Sequence, residues 1–306
     1  MDYVILALSL TFIIVGAMLL TDGSVAVARR FRVPEFVVGL TIVAVGTSMP
    51  ELTVSLVSAI DGHGDMAIGN VVGSNIFNVF MILGVCALFS PIIFTRTNVR
   101  RDIPMCIIAS LMFTVMTLLD GDITRMEGII LFVSYVAMIW FTIRAEKKNA
   151  PKDDNTPMMP AWRIPVWILL GLAGLIFGGD MFVESASNIA RQWGVSEATI
   201  AITLVAGGTS MPELASSLVS IFKGSPSLAL GNVLGSNIAN IFLILGVSST
   251  VTPLTMGGVA MSDVYVALVA ALFIMLSALV IGRDKLTRFE GVIFIACYVG
   301  YVYTLL

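Results

Sequence analysis

Residues 33–84 and 195–246 align without a gap at a constant offset of 162, and 30 of the 52 aligned positions are identical. The best-matched blocks are GTSMPEL at 46–52 and 208–214, and GN-V-GSNI-N at 69–78 and 231–240. Weaker similarity extends outward, pairing TDGSVAVARRF at 21–31 with VESASNIARQW at 183–193, and TRMEG at 124–128 with TRFEG at 287–291. A chain that carries one unit twice is constrained to fold as two related halves.

The halves are membrane-like. Of 306 residues, 58% are hydrophobic and 12% charged, whereas a soluble domain carries about 25% charged residues. A spanning helix needs about 20 mostly apolar residues, and that ruler places ten spans at 3–28, 33–60, 66–90, 103–119, 126–144, 164–190, 195–222, 227–250, 262–282 and 286–306. The expectation is an all-α polytopic membrane protein with ten transmembrane helices, arranged as two five-helix repeats, 1–144 and 164–306. They are joined by a linker, 145–163, whose Pro- and charge-rich sequence AEKKNAPKDDNTPMMP belongs outside the membrane. Met1-Asp2 carries no basic residue and the apolar stretch after it is long, so the first segment reads as a span rather than a signal peptide.

Five is odd, so the second copy enters the bilayer from the opposite side and the repeat is inverted. Basic residues support the count. Alternate loops hold Arg29, Arg30 and Arg32; Arg96, Arg100 and Arg101; Arg144, Lys147, Lys148, Lys152 and Arg163; Lys223; and Arg283, Lys285 and Arg288, which is 15 of the 17. Only Arg125 and Arg191 fall on the other side. Positive charge marks the cytoplasmic side, so both termini are expected outside a plasma membrane and the linker inside. Inverted repeats place their substrate near the bilayer midplane at the repeat interface.

Each copy puts one acid in that apolar depth, Glu51 in the second span and Glu213 in the seventh. An ionisable residue inside a span costs at least about 2.5 kcal/mol by insertion scales, and no Lys or Arg lies in the interior of any span to pair with these two. A duplicated scaffold explains close-packing glycines such as Gly46, Gly73 and Gly235; it does not explain a glutamate at the same place twice. Thr47, Ser48 and Glu51 share one helix face, as do Ser74 and Asn78. Thr209, Ser210, Glu213, Ser236 and Asn240 repeat the set. Every side chain offers oxygen, which suits hard cations and not zinc or copper. Pro50 and Pro212 offer no N–H to the carbonyls of Gly46 and Gly208; each is either a plain kink or a break that frees a carbonyl for a cation.

GTSMPE followed by GN-V-GSNI-N, present twice across ten spans, resembles the sodium/calcium exchanger family of the cation/calcium antiporter superfamily, in its compact prokaryotic form. The resemblance covers essentially the whole chain. It implies Na⁺ and Ca²⁺ as transported substrates, with no cofactor, exchanged by alternating access in which spans 1 and 6 slide against the rest. It implies that Glu51 and Glu213 are the central ion-binding glutamates of one site. Thr47, Ser48, Ser74, Thr209, Ser210 and Ser236 are then hydroxyl and flanking Na⁺ ligands, the carbonyls of Ala44 and Ala206 outer Na⁺ contacts, and Asn78 and Asn240 the remaining central positions. Many relatives carry Asp at the position of Asn240; with Asn in both copies the centre holds two formal charges, which implies a K⁺-independent cycle.

Two ionised glutamates balance one Ca²⁺ or two Na⁺, and a further Na⁺ at backbone carbonyls makes exchange electrogenic. Burial and like-charge repulsion raise a carboxyl pKa, so protons are expected to compete with Ca²⁺. The alternatives are an H⁺/Ca²⁺ exchanger and a cation channel; the first usually carries GN-x-x-E where this chain has GTSMPE, and the second is commonly a symmetric assembly around an open pore.

Nothing suggests an enzyme. No phosphate-binding loop points to a nucleotide, no basic groove to nucleic acid, and the sole histidine, His63, sits in a short outer loop with Asp61 and Asp65. Cys86, Cys106 and Cys297 lie in apolar stretches without metal-ligand spacing. Asp180 and Glu184 of span 6 are expected to line a vestibule or snorkel, and Glu127 and Glu290 to pair locally with Arg125 and Arg288. The lipid bilayer is the one surrounding partner, and the pattern is compatible with a monomer.

Overall fold

The computed structural model describes residues 1–146, 158–194 and 206–305. Most of the linker and residues 195–205 at the start of the seventh expected span lie outside the described residues. Among those described, eight helices are long and apolar enough to cross a membrane: Asp2–Phe31, Gly64–Phe89, Asn98–Leu119, Arg125–Ala145, Arg163–Gln192, Pro226–Val251, Met261–Ile281 and Arg288–Leu305. A ninth is a broken pair, Glu35–Thr47 and Met49–Ile60. The seventh expected span is seen as Ala206–Gly208 and Met211–Phe222.

The two helices that carry the GN-V-GSNI-N block are the most buried of the eight. In Gly64–Phe89 and Pro226–Val251, 78% and 94% of the apolar window is buried, against 17–44% in the others. Apolar residues that stay exposed, such as Leu118, Val133, Leu169 and Val280, are the lipid-facing surface a spanning helix requires.

The chain forms two compact units, and each draws on both copies of the repeat. One comprises Met1–Pro50 and Ile143–Asn232, the other Glu51–Thr142 and Val233–Leu306. In the first unit, spans 1 and 6 pack along their length. Glycine permits it: a Cβ on Gly16 would stand 2.8 Å from the Gly171 carbonyl oxygen, and one on Gly171 2.6 Å from the Leu20 nitrogen. Small residues let backbones approach where lipid supplies no hydrophobic drive. Ile13, Ala17, Leu20 and Leu175 fill the seam.

In the second unit Phe80, Phe273 and Phe294 are in edge-on contact, with ring centroids 5.8–6.3 Å apart. Two short antiparallel bridges close its ends. Ile92–Ile93 pairs with Lys285–Leu286, and Asp122–Ile123 with Leu254–Thr255. The bridges are related by the repeat, since each joins a loop of one copy to the equivalent of its partner in the other.

Two expectations need correction here. Glu127 and Glu290 do not act through ion pairs with Arg125 and Arg288. Each closes a capping box: Glu127 Oε2 accepts from the backbone N–H and hydroxyl of Thr124, both 2.8 Å, and Glu290 Oε2 from those of Thr287, 2.8 and 2.7 Å. Thr-x-x-Glu at a helix start satisfies otherwise orphaned N–H groups, and the arginines turn away to the carbonyls of Val251 and Phe89, at 3.2 and 3.5 Å. Close packing also fails to explain Gly73, because a Cβ there would meet nothing within 4 Å, although one on Gly46 would press on Leu172 at 2.6 Å.

Candidate functional site

The prolines begin helices rather than bend them. Ser48, at φ −84° and ψ 12°, interrupts the second span, and Ser210, at φ −89° and ψ 8°, does the same before Met211–Phe222. Pro50 and Pro212 then stand in the first turn of a new helix, where a missing N–H costs nothing. The same turn holds Glu51 and Glu213. A helix N-terminus carries a positive partial charge, so each carboxylate sits where the backbone stabilises an anion at membrane depth. Glu51 is 1% exposed and Glu213 is fully buried.

In the unit that holds Glu213, the two copies of the motif meet. The Ser48 hydroxyl donates to Glu213 Oε1 at 2.8 Å. Thr47 donates to Asn232 Oδ1 at 3.3 Å. The Asn232 amide in turn donates to the Ser216 and Ser217 hydroxyls, both at 3.0 Å, and to the Glu213 carbonyl at 3.4 Å. Ala44 is buried, and its carbonyl accepts from the Ser48 N–H at 3.0 Å and from Thr47 at 3.4 Å. Ala206 opens the short helix Ala206–Gly208.

A cleft of about 270 Å³ reaches this region. Pro50, Thr209 and Pro212 line it together with Asp180 and Glu184. Of the two readings of those acids, lining a vestibule is the one this cleft matches.

In the unit that holds Glu51, Asn70 does what Asn232 does opposite, donating to the Ser55 hydroxyl at 3.0 Å and the Glu51 carbonyl at 3.2 Å. Asn70, Ser74 and Asn78 lie four residues apart, so one face of Gly64–Phe89 carries all three. Helix Pro226–Val251 repeats the face with Asn232, Ser236 and Asn240. Asn78 donates to Asn237 Oδ1 at 3.0 Å, and Asn240 to Asn75 Oδ1 at 2.9 Å. Asn78 and Asn240 themselves lie where the helices widen into π-turns, Phe77–Leu83 and Asn240–Leu245, a distortion frequent at functional sites.

Five of the expected ligands are conspicuous for what they lack. Among the described residues, Ser74 Oγ, Asn78 Oδ1, Thr209 Oγ1, Ser236 Oγ and Asn240 Oδ1 are buried without a hydrogen-bond partner. A buried unsatisfied oxygen costs about 1–3 kcal/mol, and a cation that accepts these lone pairs removes the cost. The donor set, carboxylate, amide oxygen and hydroxyl, fits a hard cation. The residues that sequence reasoning missed are Asn70 and Asn232, and Asn75 and Asn237. Their signal was the fourfold spacing and the doubled GSN.

Comparison with known proteins agrees with this chemistry. A family model described as sodium/calcium exchanger protein matches residues 1–144 and 163–306. The putative antiporter CaxA of Alkalimonas amylolytica is 37% identical, covering 96% of this chain and 97% of its own. The sodium/calcium exchanger MaX1 of Methanosarcina acetivorans is 31% identical, covering 99% and 98%. Among solved structures, the sodium-calcium exchanger NCX_Mj soaked with Na⁺ and Ca²⁺ superimposes with a TM-score of 0.87 at 30% identity, over 100% of this chain and 98% of that one.

Proposed function

The chain belongs to the sodium/calcium exchanger protein family, and from that premise we propose that it exchanges Na⁺ for Ca²⁺ across a plasma membrane by alternating access. The observation that carries the proposal is the pair of buried glutamates, Glu51 and Glu213, each in the first turn of a helix that restarts within the motif. Both belong to one ion site. Asn78, Asn240, Ser74, Ser236, Thr209, Thr47, Ser48 and Ser210 supply its remaining side-chain oxygens, and the carbonyls of Ala44 and Ala206 its outer Na⁺ contacts.

Antiport follows from shared ligands. Ca²⁺ neutralises two carboxylates, as do two Na⁺, so the ions compete for one charge pair. An empty site leaves two like charges in a low dielectric, which disfavours crossing without cargo. A third Na⁺ on backbone carbonyls makes the loaded state net positive and the cycle electrogenic. With asparagine at both 78 and 240 the centre carries no third acid, which supports a K⁺-independent cycle. The halves of the chain, 1–144 and 164–306, are the inverted copies that let one site face each side in turn. The basic loops support a topology with both termini outside and the linker in the cytoplasm.

The test is a proteoliposome assay. Vesicles loaded with Na⁺ and diluted into Na⁺-free buffer are expected to take up ⁴⁵Ca²⁺, and to do so equally with or without K⁺. Uptake driven only by a pH gradient would overturn the Na⁺ assignment in favour of H⁺ exchange. Glu51→Gln and Glu213→Gln are each expected to reduce uptake to the vesicle background; wild-type uptake in either would remove that residue from the site.

A further inference from the structure

Four buried asparagines, Asn75, Asn78, Asn237 and Asn240, are each at most 3% exposed and form a reciprocal network within one unit. Asn75 donates from Nδ2 to the backbone carbonyl of Asn237, and Asn237 from Nδ2 to that of Asn75, both at 3.3 Å. Asn240 donates to Asn75 Oδ1 and Asn78 to Asn237 Oδ1. Asn237 also meets the thiol of Cys106.

An amide side chain has two ends of opposite polarity and nearly the same shape. If Asn78 or Asn240 is a cation ligand, its oxygen must face the ion, since a half-turn about the last side-chain bond would present N–H donors instead. No solvent selects between the two ends in a buried site. The neighbours do, and here the selection starts from groups that cannot turn around. The Asn237 carbonyl only accepts, so Asn75 must offer it Nδ2, which leaves Asn75 Oδ1 as an acceptor. That acceptor takes Nδ2 of Asn240, and the oxygen of Asn240 is left over. The Asn75 carbonyl starts the same sequence through Asn237 to Asn78. The leftover oxygens, Asn78 Oδ1 and Asn240 Oδ1, are two of the buried atoms without a partner among the described residues.

We propose that Asn75 and Asn237 are positioning residues that set the polarity of the ligand amides of Asn240 and Asn78, each acting across the repeat on the other copy. The inference rests on the ligand reading given above. It extends to specificity: an acid at 240 would bring an acceptor to an acceptor, and Asn75 would have to release the Asn237 carbonyl to accommodate it.

A double-mutant cycle on Na⁺-driven ⁴⁵Ca²⁺ uptake separates this role from simple helix adhesion. Asn240→Ala and Asn75→Ala are each expected to raise the half-saturating Ca²⁺ concentration roughly tenfold or more, the scale of a hydrogen bond to a charged group. The double variant is expected to be no worse than Asn240→Ala alone, within about twofold, because Asn75 has no ligand left to orient. Asn75→Ser, whose shorter side chain retains a hydroxyl donor but not the distal amide oxygen, is expected to behave as Asn75→Ala and serves if the alanine variant does not fold. Multiplying factors in the double variant would overturn the inference while leaving the ligand reading intact, as would an Asn75 variant with unchanged half-saturation and a lowered thermal midpoint. An Asn240→Ala protein with wild-type half-saturation would overturn both.

Discussion

Lys223 and Asp61 follow equivalent helices in the two copies, Met211–Phe222 and Met49–Ile60, yet one is a cation and the other an anion. Lys223 Nζ donates to Asp22 Oδ1 at 2.6 Å and to the Met18 carbonyl at 3.1 Å, fastening its helix to the first span. In the aligned position of the other copy, Glu184 replaces Asp22 and Asp61 replaces the lysine, so the same bridge cannot form. At the centre the copies agree residue for residue, and Asn75 and Asn237 exchange matching bonds. The lesson is that equivalence is kept in the buried motif, where the bonds are reciprocal, and given up at the helix ends.

The largest expected test of that comparison uses one motif glycine and its counterpart. A Cβ on Gly231 would stand 2.2 Å from the Phe36 carbonyl oxygen, whereas one on Gly69 would lie 3.6 Å from Val259 Cγ2. Gly231→Ala is expected to cost about 1–3 kcal/mol or to prevent folding, and Gly69→Ala to stay within about 0.5 kcal/mol of wild type. Thermal unfolding in detergent measures both, and equal losses would break the comparison.

An intermediate effect is expected at the capping boxes. Glu290 is 1% exposed and also receives the Ser277 hydroxyl, while Glu127 is only partly buried. Glu290→Ala is expected to destabilise by about 1–3 kcal/mol and Glu127→Ala by about 1 kcal/mol, compared in the same unfolding assay. The reverse order would mean that burial does not decide the cost.

The smallest belongs to Lys223. Its side chain is 29% exposed and that of Asp22 47%, so the bridge is screened, and Lys223→Ala is expected to cost less than about 1 kcal/mol. The loss should shrink further near 1 M salt, where the screening length is about 3 Å. A loss that persists at high salt would point to the Met18 carbonyl contact instead.

The architecture was legible because lipid imposes it. Long apolar runs and a doubled motif leave little choice of fold. Glu51 and Glu213 were visible for the same reason, since an acid at that depth has few explanations. The local breaks were half legible: Pro50 and Pro212 marked the place, but not that Ser48 and Ser210 end one helix so that the prolines can begin another. Thr124-x-x-Glu127 and Thr287-x-x-Glu290 were legible in full and misread, because the adjacent arginines seemed the stronger partners. What no single position could reveal was the crossing of copies. The partner of Asn240 is Asn75, 165 residues away, and a repeat says which residues are alike, not which of them touch.

The reciprocity of the asparagine network has a consequence for how such a chain can arise. Asn75 meets Asn237 and Asn240, and Asn237 meets Asn75 and Asn78, so the contact is self-complementary in the manner of a twofold interface between identical subunits. A single five-helix polypeptide inserted in both orientations could build the same contact with its own mirror in topology, as a homodimer. Fusion of the two genes would then add no new bond at the centre. It would free the halves to diverge, and a lysine at 223 opposite an aspartate at 61 is the kind of difference that one sequence serving both orientations could never carry.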